Sequence, residues 1–183
     1  MAQAAVFVDG AYLARILKDL GEPRIDFALL TRWAAEGYDL FRTYYYDCLP
    51  YQSPNPSDEE RRRVSAKQRF FTGLKRLDRF VIRLGRLAHR GSDGAGNPVF
   101  EQKQVDLQIG LDLATLIAKD RVDLVALLTG DSDLLPAVKR AREEGILVRL
   151  VHGPKSTYHR DLWSEADEPR EIATEIVSRM RLV

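Results

Sequence analysis

The sequence predicts an α/β fold: a three-layer α/β/α sandwich around a mainly parallel sheet. Three observations carry this. The apolar runs at residues 5–8 and 122–129 are short, and each gives way to a polar, glycine-containing turn, the pattern of a parallel strand buried on both faces. Strand-like and helix-like segments alternate along the chain. The 183 residues, 45% hydrophobic and 30% charged, suit a globular protein with a substantial core. No internal repeat or interdomain linker interrupts them, so residues 1–183 are read as a single domain.

The elements follow from local chemistry. Residues 4–8 form the first strand. A helix runs from residue 11 towards residue 20 and is ended by Gly21 and Pro23. A second helix, about 27–36, stops at Gly37. Residues 40–46, rich in aromatic and β-branched side chains, read as a strand. Ser53-Pro54-Asn55-Pro56-Ser57 is a loop. Asp58 is the expected cap of a helix reaching about residue 77, with Glu59 and Glu60 in its first turn and Phe70, Leu74 and Leu77 on one stripe. Residues 80–88 alternate as a strand. The glycine-rich stretch 91–98 is a turn from which 99–103 can return as a hairpin partner. Residues 105–118 form a strong helix, 122–129 a strand, 134–144 a helix ended by Gly145, and 146–151 another strand. Pro169 is expected to open a last helix over about 170–181.

Several classes drop out. No apolar stretch is long enough to cross a bilayer, and the N-terminus lacks a secretory pattern, so a cytoplasmic protein is expected. A lone cysteine, Cys48, excludes an intrachain disulfide and a cysteine-rich zinc site; it reads as a packed residue at a strand end. There is no phosphate-binding G-x-x-x-x-G-K-[ST] loop, no G-x-G-x-x-G after a strand and no G-x-S-x-G elbow. His89, His152 and His159 lack metal-site spacing.

Four aspartates stand out instead. Asp9 ends the first strand, Asp131 and Asp133 follow the 122–129 strand, and Asp106 lies between them. Ligands of open α/β sheets bind outside the carboxyl ends of the strands. Carboxylates crowded there are unfavourable without a counter-charge, and a divalent cation is the usual one. Each aspartate also has a plainer reading as a turn residue or helix cap. At about 100° per residue, the 105–118 helix groups Gln108, Asp112, Thr115 and Lys119 on a face read as solvated. It turns Asp106 towards the core beside Gly110, Leu113 and Ile117. An acid so placed is costly unless paired or bound to a cation.

The net charge of +1 hides an asymmetry. Residues 61–90 hold eleven basic side chains and one acid, a net of +10 that leaves −9 on the rest. Arg61, Arg62, Arg63, Lys67, Arg69, Lys75 and Arg76 are the candidates for phosphate contacts. Their plainer reading is a solvated helix face, on which joint replacement of Arg61, Arg62, Arg63 and Lys67 should be tolerated.

Three segments carry a family resemblance: Phe7-Val8-Asp9-Gly10-Ala11-Tyr12-Leu13, Lys103-Gln104-Val105-Asp106 with Leu111-Asp112-Leu113, and Thr129-Gly130-Asp131-Ser132-Asp133-Leu134-Leu135-Pro136. Tyr44-Tyr45-Tyr46-Asp47 adds a further strand. Together they resemble the NYN branch of the PIN-like nuclease superfamily, in its bacterial LabA-like group. The resemblance implies a PIN-like, Rossmann-like fold and a Mg²⁺- or Mn²⁺-dependent endoribonuclease. Asp9, Asp106, Asp131 and Asp133 would be both metal ligands and catalytic residues. Asp112, Ser132, Thr129 and Tyr12 form a second tier. RNA is the implied partner, with a homodimer allowed and no membrane. Many members have Asn where this chain has Tyr12, and that departure favours the alternative, a non-catalytic regulatory module of the same fold. The basic helix at about 58–77 is an elaboration the family does not explain.

Overall fold

The computed structural model describes residues 2–21, 23–95 and 98–182. In chain order the elements are β1 (Gln3–Asp9), α1 (Gly10–Asp19), α2 (Phe27–Ala34), β2 (Asp39–Asp47), α3 (Asp58–Lys75), β3 (Phe80–Leu84), β4 (Arg86–Ser92), β5 (Pro98–Lys103), α4 (Val105–Ala118), β6 (Leu124–Leu128), α5 (Leu135–Glu143), β7 (Leu147–His152), α6 (Arg160–Glu165), β8 (Glu168–Glu171) and α7 (Thr174–Arg179). Six strands form one sheet in the order β3-β2-β1-β6-β7-β8, with every pairing parallel. β4 and β5 form a separate antiparallel hairpin.

The strand alternation builds the layers. Ala4, Val6 and Val8 of β1 face one apolar cluster, with Leu13 and Ile16 of α1, Leu30 of α2, Phe71 and Leu74 of α3, and Val177 of α7. Ala5 and Phe7 face the other, with Val105, Ile109, Leu113 and Leu116 of α4, Val138 and Ala141 of α5, and Leu162 of α6. β1 is thus apolar at successive positions because both of its faces are covered. Strand order runs outward one way from β1 and the other way from β6. The crevice between these two strands, at their carboxyl ends, is where such sheets bind ligands.

Four expectations are corrected. The predicted last helix is two elements. Residues 168–171 form β8, the outermost strand beside β7, and the helix is only Thr174–Arg179. Pro169 belongs to an edge strand, where one side of the backbone needs no ladder donor, and does not start a helix. The strand expected over 80–88 breaks at Gly85, between β3 and β4. The cap of α3 is Ser57 rather than Asp58: Ser57 Oγ accepts from Glu60 N (3.1 Å) while Ser57 N donates to Glu60 Oε2 (2.7 Å). The short helix α6 was not foreseen. Among the described residues, no helix is long and apolar enough to cross a membrane.

Candidate functional site

Asp9 closes β1 and caps α1. Its Oδ1 accepts from the amides of Ala11 and Tyr12, both at 3.0 Å, so the strand-to-helix turn fixes the carboxylate at the sheet's carboxyl edge. β6 runs beside β1, with Val8 opposite Leu128. Thr129 is buried and its Oγ1 accepts from Asp131 N (3.2 Å). Asp131 Oδ1 accepts in turn from Asp133 N (2.9 Å), capping the 3-10 turn Ser132–Leu134 that Ser132 opens. Pro136 stands at the start of α5, as its missing amide donor allows. Asp9 and Asp131 line one cavity together with Ala11, Tyr12, Arg15 and Gly130.

The electrostatics group the acids. Burial pushes the Asp9 carboxyl up from 3.8 to about 6, against its two amide bonds, and the charges of Asp106 and Asp47 add to the rise. Asp106 is also raised, first by desolvation and then by Asp131 and Asp133. Among the described residues none of Asp9, Asp106, Asp131 and Asp133 forms an ion pair. No three metal-ligating side chains there are drawn together closely enough to hold an ion as they stand. The arrangement is an acidic cleft short of positive charge. Hard carboxylate oxygens are the donor chemistry that Mg²⁺ or Mn²⁺ takes.

A folded-state pKa above the unfolded one means the folded protein holds that proton more tightly. Stability from this source is full below pH 3.8 and is lost as pH rises through about 6. The loss for metal-free protein should approach ~3 kcal/mol. Asp9→Asn, which keeps a good cap, should remove that decline and leave the variant the more stable at pH 7; urea unfolding at pH 4 and 7 in the presence of a chelator measures it.

The angular reading of α4 is corrected. The buried stripe is Val105, Ile109, Leu113 and Leu116, so Asp106 and Asp112 flank it on opposite sides. Asp106 is exposed, not turned into the core. Asp112 is not solvated: Arg83 grips it with Nε (2.9 Å) and Nη2 (3.2 Å), and Tyr46 donates its hydroxyl (2.9 Å). Leu107 and Leu111, exposed on the outer face, blurred the periodicity. Asp112→Asn should therefore cost about 1 kcal/mol of stability, discounted because Arg83 is well exposed, and should spare metal binding. Asp106→Asn should do the reverse. Thermal melts paired with Mn²⁺ calorimetry separate the two.

Tyr12 lines the cavity, but its hydroxyl is engaged beyond it. Its hydroxyl lies 3.2 Å from Thr157 Oγ1 and accepts from Gly153 N (3.1 Å), tying α1 to the segment after β7. Two further residues were missed by sequence reasoning. Asp47, at the end of β2, is buried and accepts from Cys48 N (2.7 Å) and from the Tyr45 hydroxyl (3.3 Å). It lies beside Asp9, since β1 pairs Asp9 with Tyr46. A Cβ at Gly10 would sit 2.6 Å from Asp47 Oδ2, so the Asp-Gly pair is as much a close approach as a turn. Arg15 stands over the Tyr12 ring and donates to Thr157 O (3.0 Å), a cation at the rim of the acidic cavity. The only hint of Arg15 in the sequence was its place one turn into α1.

The basic helix is not uniform. Lys67 was read as part of a solvated face. Its ammonium is instead 2.6 Å from Asp47 Oδ2, with a side chain 28% exposed against 5% for Asp47. Arg61, Arg62, Arg63, Arg69, Lys75 and Arg76 are exposed. Arg61 pairs with Asp58 (2.6 Å), Arg63 with Glu59 (3.5 Å), and Arg62 donates to the Asp58 carbonyl (3.3 Å). Cys48 is packed as expected: burial, then Asp47, pushes its thiol up to about 11, away from nucleophilic chemistry.

A six-stranded parallel sheet with helices on both faces is a Rossmann-like architecture consistent with the PIN-like fold. The chain matches the NYN domain family over residues 3–173 and belongs to it; the NYN domain is a branch of the PIN-like nuclease superfamily. A crystal structure of the Vibrio parahaemolyticus protein VPA0982, of unknown function, superposes with a TM-score of 0.67 over 99% of this chain and 96% of that one. At 20% identity this supports the fold alone. The uncharacterized protein MJ0482 of Methanocaldococcus jannaschii is 32% identical over 83 residues, 43% of this chain. The match spans 34% of that relative's length.

Proposed function

We propose that the protein is a metal-dependent endoribonuclease that hydrolyses RNA phosphodiester bonds at the Asp9–Asp106–Asp131–Asp133 cleft. The observation that carries this reading is that Asp9 and Asp131 line one cavity at the ligand-binding edge of the sheet, with Asp106 and Asp133 in electrostatic reach and none of the four in an ion pair among the described residues. Asp9, Asp106 and Asp131 would hold Mg²⁺ or Mn²⁺, with Asp133 directly or through water. When bound, the ion would supply activation of a water and stabilisation of charge on the phosphate. The chain's own residues do the rest. Thr129 and the 3-10 turn orient Asp131, the α1 amides orient Asp9, and Arg15 at the rim is placed for a flanking phosphate. No nucleophilic side chain is needed.

The alternative, a regulatory module that binds RNA or a protein without cleaving, is favoured by one observation. The Tyr12 hydroxyl is committed to Thr157 and Gly153, so position 12 offers the cleft no polar contact. Incubating a labelled RNA with the protein in Mg²⁺, Mn²⁺ or chelator tests the choice. Metal-dependent cleavage supports the nuclease; metal-independent binding without cleavage supports the module.

A further inference from the structure

The hairpin β4–β5 is rooted at the acidic cleft. Gly85 N donates to the Asp47 carbonyl (2.9 Å), so the chain leaves the sheet beside Asp47. It returns at Lys103, just before α4 and its Asp106. The root is tightly packed: a Cβ at Gly85 would lie 2.6 Å from the Lys103 carbonyl and 2.7 Å from Val105 Cγ2. The register pairs Arg86 with Lys103, Leu87 with Gln102, Ala88 with Glu101 and His89 with Phe100. Alternation therefore sets His89 and Phe100 on one face, and Arg86, Arg90, Glu101 and Lys103 on the other.

Three rings gather on the first face. Tyr51, from the loop after β2, lies 5.0 Å from Phe100 and 5.8 Å from His89 between centroids, and His89 lies 5.4 Å from Phe100. None belongs to either apolar core. Tyr51 remains 36% and Phe100 37% exposed, and His89 is exposed as well. On the other face Arg90 and Lys103 share one carboxylate, Glu101, so that ladder stays cationic, with Arg86 exposed beside it.

We propose that this hairpin is a base-stacking platform for single-stranded RNA, placed to hold the strand as it passes the acidic cleft. The inference rests on the RNA reading above and adds where and how the strand is held. Exposed rings accept any base by stacking, whatever the sequence, while the cations on the hairpin's opposite face supply a positive field that draws the strand in. The net of +10 over residues 61–90, which includes three cations of β4 and its approach, complements a polyanion.

The test is fluorescence anisotropy in Ca²⁺ with a short labelled single-stranded RNA, the same oligomer made abasic, and an RNA duplex. Phe100→Ala and Tyr51→Ala should each weaken binding of the intact strand about five- to a hundred-fold. Abasic and duplex affinities should stay within about twofold, because phosphate contacts are untouched. Phe100→Trp and Tyr51→Phe should retain wild-type affinity, which separates stacking from misfolding. Wild-type affinity in both alanine variants would overturn the platform while leaving the RNA reading intact. A failure of the wild-type protein to bind any RNA would remove both. Equal losses for intact and abasic strands would overturn stacking in favour of charge. A shift from dimer to monomer in Phe100→Ala at unchanged RNA affinity would overturn it in favour of a second copy of the chain.

Discussion

Asp131→Asn is expected to lower Mg²⁺-dependent RNA cleavage by about 10³-fold while leaving the protein folded. The variant keeps an Asx oxygen to cap the 3-10 turn, so Asp133 N retains its acceptor. What it loses is one negative charge at the switch point. Metal-assisted charge stabilisation contributes several kcal/mol to such a reaction, and each 1.36 kcal/mol is tenfold in rate. Single-turnover cleavage of a labelled RNA, with circular dichroism as the folding control, measures the effect. Because Asp131 contributes repulsion to Asp106, metal-free Asp131→Asn should unfold at the same temperature as wild type or higher. Equal metal-dependent cleavage by the two proteins would place the chemistry elsewhere.

The second large effect is structural. Lys67→Met should cost about 3 kcal/mol, the low end for breaking a buried ion pair, because the lysine is partly exposed. Asp47 would be left buried beside Asp9 with only the Cys48 amide and the Tyr45 hydroxyl as partners. For a chain of this size the melting temperature should fall by roughly 6–12 °C. Adding Asp47→Asn to Lys67→Met should restore much of the loss, since the unpartnered buried carboxyl is what destabilises. Arg62→Gln, on the exposed side of α3, should change stability by less than about 0.5 kcal/mol. Urea titrations and thermal melts of the four proteins measure all of this. The Lys67–Asp47 pair changes the expectation that Arg61, Arg62, Arg63 and Lys67 are jointly replaceable: the three arginines should be, and Lys67 should not.

Local pattern carried most of the fold. The run Ala5-Val6-Phe7-Val8 is apolar at every position because β1 is covered on both faces, and that signal is complete within the sequence. The placement of Asp9 and Asp131 at the sheet's carboxyl edge was legible for the same reason, as Asp9 closes β1 and Asp131 stands in the turn after β6. Asp47 was not. It too ends a strand, but its meaning lies in Lys67, twenty residues on and in another layer, and in the bare Gly10 that lets the two acids approach. The positions of Asp106 and Asp112 were misjudged because Leu107 and Leu111 make α4 apolar nearly all round, which leaves a helical wheel without a clear centre. Pro169 fits a helix start and an edge strand equally well by local rules; only the vacant side of β7 decides between them.

The most direct measurement is anomalous diffraction from crystals of the wild-type protein and Asp131→Asn soaked in Mn²⁺. The account predicts an anomalous peak bounded by Asp9, Asp106 and Asp131 in the wild type, lost or strongly weakened in the variant. Mn²⁺ bound elsewhere on the protein with none among these carboxylates, or a peak there of equal height in both crystals, would contradict it.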